Sequence, residues 1–496
     1  MIHNPLLSSQ AGLARAESYG AWADAARAAD QRQGKDRWRA ADASDSFDHR
    51  SIRRRLERLN ELTAQGDNQG LLYTLNEGIH GNMDGMANDA LWHEAHFGTK
   101  QLIHDYVDAV SRAIEHLANP AVREISFEDK RDFFRRALHC YGCSALLMSG
   151  SGAFLFFHAG VVKALWSEGL LPSIISGSSG GSVVGALVCT HRDEDLGEFF
   201  RPERLAREYE DEAGATLLNP LGGARRMSQV QVRDRLAEII PDLTFQEAFE
   251  LTGRHLNISV APAERYQNGR LLNAITSPNV FIREAVLASC AVPGVYAPVE
   301  LKARDHAGRR VAYLPGRKWV DGSVTHDLPS KRLSRLYGVN HHIVSQANPL
   351  VTPFASDVTQ SASPFAAIRR ASVSTLKAWL NVNMELLDRP LAMFPALHSM
   401  ARMTMSVINQ DYSGDINIIR PVMLWSPAKM LSNLNLDEIA ELVQLGERAT
   451  WPKIEMVRTQ TRISQTLTRV LAAYEAGEGA IAEAPAARRR GARGAA

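Results

Sequence analysis

Between Ala14 and Cys140 apolar side chains recur every third or fourth position, as in Leu102, Ile103, Tyr106, Val107, Val110, Ile114 and Leu117. That period lines one face of each segment with apolar groups and predicts a set of helices. Breaks fall at Gly66-Asp67-Asn68-Gln69-Gly70 and at Asn119-Pro120, where the residue types favour turns. From Ser144 the pattern changes. Short apolar runs, Ala145–Met148, Ser173–Ser176, Leu256–Val260, Lys318–Val320 and His342–Val344, alternate with helical stretches. Strands alternating with helices predict parallel βαβ units, and hence an α/β core with a mainly parallel sheet. Helical spacing returns over about 350 to 474, and the final stretch is a low-complexity run of Ala, Gly, Glu and Arg. The expected division is a tail at 1–15, a helical domain at 16–143, an α/β domain at 144–349, a helical C-terminal region at 350–474 and a disordered tail at 475–496.

A hydropathy window would flag Ala145 to Trp166 as a membrane span. Gly150, Gly152, Gly160, Ser149, Ser151, His158 and Lys163 lie within it, a mixture that predicts a buried strand, a turn and a helix instead. The start, Met1 to Pro5, has neither a basic nor an apolar region, so no secretory signal and a cytoplasmic location are expected. Charge adds an exclusion. With 56 basic and 55 acidic side chains the net charge is +1 over 496 residues, which gives no clustered cationic surface for nucleic acid. Four cysteines are too few for a disulfide framework and point to a reducing compartment.

Candidate chemistry starts at Gly177-Ser178-Ser179-Gly180-Gly181, directly after an apolar run and before a helical one. A serine with Gly177 at −2 and Gly181 at +2, on a strand-to-helix turn, has the form of a nucleophile elbow. The turn is too tight for flanking side chains, and the serine hydroxyl projects at the positive end of a helix dipole. Alone, the motif is also compatible with a plain Gly/Ser turn. A second turn, Ser149-Gly150-Ser151-Gly152-Ala153, follows the strand ending at Met148. Its backbone amides beside a helix start suit an anion. As a dinucleotide loop it lacks the third glycine, replaced by Leu155, and no acidic residue ends the next strand. As an oxyanion hole it needs only amides aimed at one point, so Gly150, Ser151 and Gly152 are expected to be those donors. A third element is Lys318-Trp319-Val320-Asp321-Gly322-Ser323. Asp321 ends a short strand and Gly322 lets the chain turn sharply, which admits both a turn-capping role and a base for Ser179.

The order of the Gly150–Gly152 loop, the Ser179 elbow and the Asp321-Gly322 pair resembles the patatin-like phospholipases. Further stretches resemble its triacylglycerol lipase branch, among them Gly98-Thr99-Lys100, Leu272-Asn273, Ala288-Ser289-Cys290-Ala291-Val292-Pro293-Gly294, Asp327-Leu328-Pro329, Tyr412-Ser413-Gly414-Asp415-Ile416 and Glu447-Arg448-Ala449-Thr450-Trp451-Pro452. The likeness covers about residues 18 to 470. It implies a patatin-like α/β core flanked by helical regions, and a Ser–Asp dyad of Ser179 as nucleophile and Asp321 as base. It also implies lipid ester substrates, acyl transfer as a side activity, and a membrane or lipid-droplet surface as the workplace, with no cofactor and no metal. Two positions depart from the family pattern: Ser151 and Leu155 stand where it usually has Gly. Leu155 calls into question the close packing of the following helix.

Other groups compete. A Ser-His-Asp arrangement would draw on His326, His341, His342 or His398, and His158 is expected to pack on a helix face near the site. His93-Glu94-Ala95-His96 has one residue too few between its histidines for a metalloprotease motif, and Cys140-Tyr141-Gly142-Cys143 is a lone CxxC. Five methionines between Met384 and Met405 suit either an acyl-chain pocket or core helices. Arg488, Arg489, Arg490 and Arg493 suit anionic lipid or a solvated tail. A catalytically silent lipid-binding protein and a scaffold are the readings from other functional classes.

Overall fold

The computed structural model describes residues 12–79, 81–201, 228–264, 267–323, 327–349, 351, 414–421 and 434–482. The methionine-rich stretch 384–405, His326, His398, Tyr412, Ser413 and the terminal arginines lie outside them. The chain divides into two compact units, one of residues 26–143 with 455–496, the other of residues 1–25 with 144–454.

In the helical unit, α1 (His49–Gln65) buries Ile52, Leu56, Leu59 and Leu62 along one stripe. Asp48 caps its start by accepting from the amides of Arg50 and Ser51, and Gly66, at φ 68°, ends it in the left-handed conformation that glycine adopts without strain. After α2 (Asn68–Gly78), α3 (Gln101–Ala118) buries every apolar position that the spacing assigns to its inner face. α4 (Phe127–Tyr141) adds Phe133, Phe134, Ala137 and Tyr141. The remaining side of this core comes from far along the chain, as described below.

The other unit is built on a seven-stranded sheet. Its strands are β1 (Cys143–Met148), β2 (Ile174–Gly177), β3 (His255–Pro262), β4 (Arg270–Leu272), β7 (Trp319–Asp321), β8 (Val339–Gln346) and β9 (Ile416–Ile419), while β5 (Lys302–Arg304) and β6 (Arg310–Ala312) pair separately. The order is β4-β3-β2-β1-β8-β9, with β1–β2, β2–β3 and β8–β9 parallel. β4 and β7 are the antiparallel exceptions. The segment flagged by hydropathy resolves into β1, a turn and α5 (Leu155–Ser167). No helix among the described residues is long and apolar enough to cross a membrane.

α6 (Gly180–Thr190) follows β2, and α7 (Ile282–Ser289) packs on β3. α8 (Leu436–Thr450) lies against α5 at very short range: a Cβ on Gly160 would stand 2.0 Å from the Val443 carbonyl oxygen, and one on Gly446 2.1 Å from that of Phe157. The doubt raised by Leu155 is thereby answered. The close helix contact is made at Gly160 and Gly446, and Leu155 is partly exposed at the first turn. From Ile454 the chain runs into α9 (Ile454–Ala482), which reaches past residue 475 because its Ala/Glu composition supports helix. Ile463, Leu467, Val470 and Leu471 of α9 complete the core of the helical unit, and the Tyr141 hydroxyl donates to the Gln460 carbonyl at 3.0 Å.

Candidate active site

Three loops meet where the parallel strands end. β2 finishes at Gly177, the chain reverses, and α6 starts at Gly180. Between them Ser179 sits at φ 48°, ψ −123°, one of only two non-glycine described residues with positive φ. Such backbone strain costs on the order of 1–3 kcal/mol and persists only where surrounding contacts impose it. Here they are identifiable. The Ser179 amide donates to Ser289 Oγ at 2.9 Å, and Ser289 Oγ donates to the Ser259 carbonyl at 2.8 Å. The motif glycines are sterically required: a Cβ at Gly177 would lie 2.3 Å from the Gly181 carbonyl oxygen, and one at Gly181 2.5 Å from that of Met148.

Asp321 arrives from β7. Val260 of β3 pairs with Arg270 on one side and with Asp321 on the other. β2 pairs with β3 only as far as Gly177 opposite Ile258, so β7 takes over the same edge where β2 has turned away. Asp321 therefore stands directly beyond the end of β2, beside the elbow. The sequence placed it at the carboxyl end of a strand in this sheet, without showing that the strand runs antiparallel. Asp321 is 1 % exposed, and burial pushes its pKa up to about 6. Three donors partly offset that rise: the Ser323 amide, at 2.8 Å from Oδ1, and the hydroxyls of Ser323 and Ser179. Gly322 lets the chain pass within contact of the β3 backbone, since a Cβ there would meet the Ser259 carbonyl carbon at 2.3 Å. At Cys290, burial, helped by the Asp321 charge, pushes the thiol pKa up to about 12. It is thus a neutral neighbour.

The Ser149–Ala153 loop comes to the same place. A Cβ on Gly180 would lie 2.5 Å from Ser151 Oγ and 3.2 Å from the Gly152 nitrogen. The three expected donors do not behave alike. The Gly150 amide donates to Asp327 Oδ1 at 2.8 Å, so that donor is already committed. The amides of Ser151 and Gly152 have no acceptor among the described residues, nor has that of Gly180, the residue after Ser179. Asp327 links the two loops, since its carbonyl also accepts from Ser178 Oγ at 3.0 Å.

The histidines separate clearly. His158 is wholly buried, and burial lowers its pKa to about 3, so it is neutral. Its Nε2–H donates to the Ser149 carbonyl at 3.0 Å and its Nδ1 accepts from Ser345 Oγ at 2.7 Å, an assignment that follows because a carbonyl can only accept. It braces the glycine-rich loop. His341 hydrogen-bonds Ser144 at the start of β1, and His342 pairs with Asp415. The Ser149 amide, just past the other end of β1, donates to the Ser345 carbonyl, so β8 runs alongside β1 in the same direction. Both histidines therefore lie toward the opposite end of the sheet, about 10–13 Å along β8 from the level of the glycine-rich loop at the usual strand rise. In the helical unit, the His93–His96 stretch is occupied structurally: Glu94 pairs with Lys35, and the His96 amide donates to Asp30. None of the four cysteines is in a disulfide, and no metal-binding cluster occurs among the described residues.

The family model described as patatin-like phospholipase matches residues 146–332, and a domain of unknown function, DUF3336, matches 7–139. The triacylglycerol lipase ptl2 of Schizosaccharomyces pombe is 30 % identical over 478 residues, spanning 92 % of this chain and 74 % of that protein. The chain belongs to the patatin-like phospholipase family. A second patatin-like relative, triacylglycerol lipase SDP1L of Arabidopsis thaliana, is 32 % identical over 471 residues, 91 % of this chain and 56 % of the other. The chain thus spans little more than half the length of several curated relatives it matches. Among solved structures, VipD from Legionella pneumophila covers 61 % of the chain at 15 % identity with a TM-score of 0.27, too slight a likeness to bear on the site.

Within this patatin-like site, sequence reasoning missed Gly180, Asp327, Ser289 and Ser323. Gly180 was legible from the elbow itself, because the amide after the nucleophile commonly serves an oxyanion. Asp327 and Ser289 carried no local signal of their roles, which arise from contacts across 177 and 110 positions of chain, whereas Ser323 stands two positions after Asp321, where the turn-capping pattern points to it.

Proposed function

We propose that the protein is a lipid acyl hydrolase in which Ser179 is the nucleophile and Asp321 the base. The observation that carries the reading is a serine on a strained strand-to-helix turn, beside a buried carboxylate whose pKa is raised to about 6. A carboxylate in water is a weak base, but desolvation raises its basicity toward neutral pH, where it acts while still ionised. Ser179 Oγ attacks the ester carbonyl, its proton passes to Asp321, and the carbonyl electron pair moves onto oxygen. The amides of Ser151, Gly152 and Gly180 receive that oxyanion, with Gly150 held by Asp327 as part of the loop's frame. Collapse expels the alcohol, which takes the proton back from Asp321 and leaves an acyl-Ser179. Water then repeats the sequence with Asp321 again as base, and a lysolipid hydroxyl in its place gives acyl transfer.

Triacylglycerol is the leading substrate, in view of the names of the relatives, with phospholipid as the alternative ester. Such substrates present themselves at a lipid–water interface, so the protein works at a membrane or lipid-droplet surface. The test is turnover of triolein emulsions and phosphatidylcholine vesicles by the wild type beside Ser179→Ala and Asp321→Asn, with fluorophosphonate labelling in parallel. Labelling of the wild type but not of Ser179→Ala, and loss of turnover in both variants, is expected. An unlabelled wild type with no turnover would return the protein to a lipid-binding role.

A further inference from the structure

Ser151 occupies the middle of the oxyanion loop, and its hydroxyl is the unusual group there. The residue is 2 % exposed, and Ser151 Oγ is buried with no hydrogen-bond partner. A buried hydroxyl that makes no hydrogen bond costs stability and gives nothing back in the resting protein. Alanine or glycine would fill the position without that cost. Ser151 Oγ also lies over the same face of Gly180 as the Gly152 nitrogen, at 2.5 and 3.2 Å from where a Cβ would stand. The hydroxyl thus shares the ground of two amide donors that have no acceptor.

We propose that the Ser151 hydroxyl is a catalytic hydrogen-bond donor to the oxyanion, acting beside the amides of Ser151, Gly152 and Gly180. The proposal rests on the acyl-hydrolase reading of Ser179. No proton is transferred: Ser151 keeps its hydrogen and donates it as the carbonyl oxygen takes up negative charge, when such a bond is strongest. A donor engaged only at that stage lowers kcat and leaves KM nearly unchanged on removal. It also makes the resting penalty part of the mechanism, because the group is satisfied only when the intermediate forms.

The experiment compares Ser151→Ala and Ser151→Gly with the wild type and with Ser179→Ala as background. The substrates are a p-nitrophenyl ester and the matching thionoester, whose sulfur is a poor hydrogen-bond acceptor. Expected is a fall in kcat for the oxygen ester on the order of 100-fold, as for loss of one oxyanion donor, with thionoester turnover falling much less. Thermal midpoints of both variants are expected at or above the wild-type value. Retention of kcat within twofold would overturn the proposal, as would an equal fall for both esters, which marks a merely structural role. In either case a wild-type rate far above Ser179→Ala keeps the acyl-hydrolase reading intact. A wild type no faster than Ser179→Ala removes both.

Discussion

Replacing Asp321 by Asn is expected to abolish activity and, against ordinary experience with buried polar groups, to stabilise the protein. Asp321 is buried and carries a pKa near 6 in the folded chain, against an ordinary carboxylate value near 4. The folded state therefore holds this proton more tightly than the unfolded chain does. Between those two values the native protein binds more protons, so the contribution of this group to stability declines as pH rises through that window and stays low above it. Two pKa units correspond to about 3 kcal/mol. Asparagine preserves the Oδ1 that accepts from the Ser323 amide and carries no charge to desolvate. Asp321→Asn should gain up to about 3 kcal/mol over the wild type at pH 8, less whatever the lost hydroxyl contacts contribute, and almost nothing near pH 4. Urea unfolding of both proteins at pH 4.5 and 8, followed by tryptophan fluorescence, measures the difference at each pH. A difference that is the same at both pH values, or a variant destabilised more at pH 8, would refute the argument that a buried, only partly compensated carboxylate is held in the site.

The wild-type kcat/KM should rise with pH through about 6 and level off above it, since Asp321 must be ionised to accept the Ser179 proton. Ser323→Ala should move that midpoint upward by removing a donor to the carboxylate, as a chromogenic ester assayed from pH 4.5 to 8.5 would show. Asp327→Ala should lower kcat on the order of tenfold or more by releasing the Gly150 amide and with it the oxyanion loop. Asp327→Asn, which retains an acceptor oxygen, should keep most of the activity. Gly160→Ala places a methyl 2.0 Å from the Val443 carbonyl oxygen and should cost at least about 1–3 kcal/mol, read as a lowered thermal midpoint. Leu467→Ala, in a fully buried position of the helical unit, should cost about 2–5 kcal/mol and speed proteolysis within residues 49–141.

Much of this protein was legible in its order of residues. The three- and four-residue spacing of Leu102 to Leu117 and the switch to short apolar runs after Ser144 reflect local rules, because a helix or strand must show its core one face at a fixed period. The Gly177–Gly181 elbow was legible for a similar reason: only glycine fits where the turn doubles back on Met148 and Gly181. Tertiary structure decided the rest. That β7 runs antiparallel and takes over the edge β2 leaves is what brings Asp321 to Ser179, and hydrogen-bond register between strands separated by more than 50 residues has no local signature. The commitment of Gly150 to Asp327, and the neutrality of His158, follow from burial and partners that spacing cannot reveal. The helical core likewise waits for Ile463 and Leu467, over 300 residues after the helices they complete. Local preference writes the elements, but which faces meet depends on where long-range packing can bury apolar surface and still satisfy most polar groups.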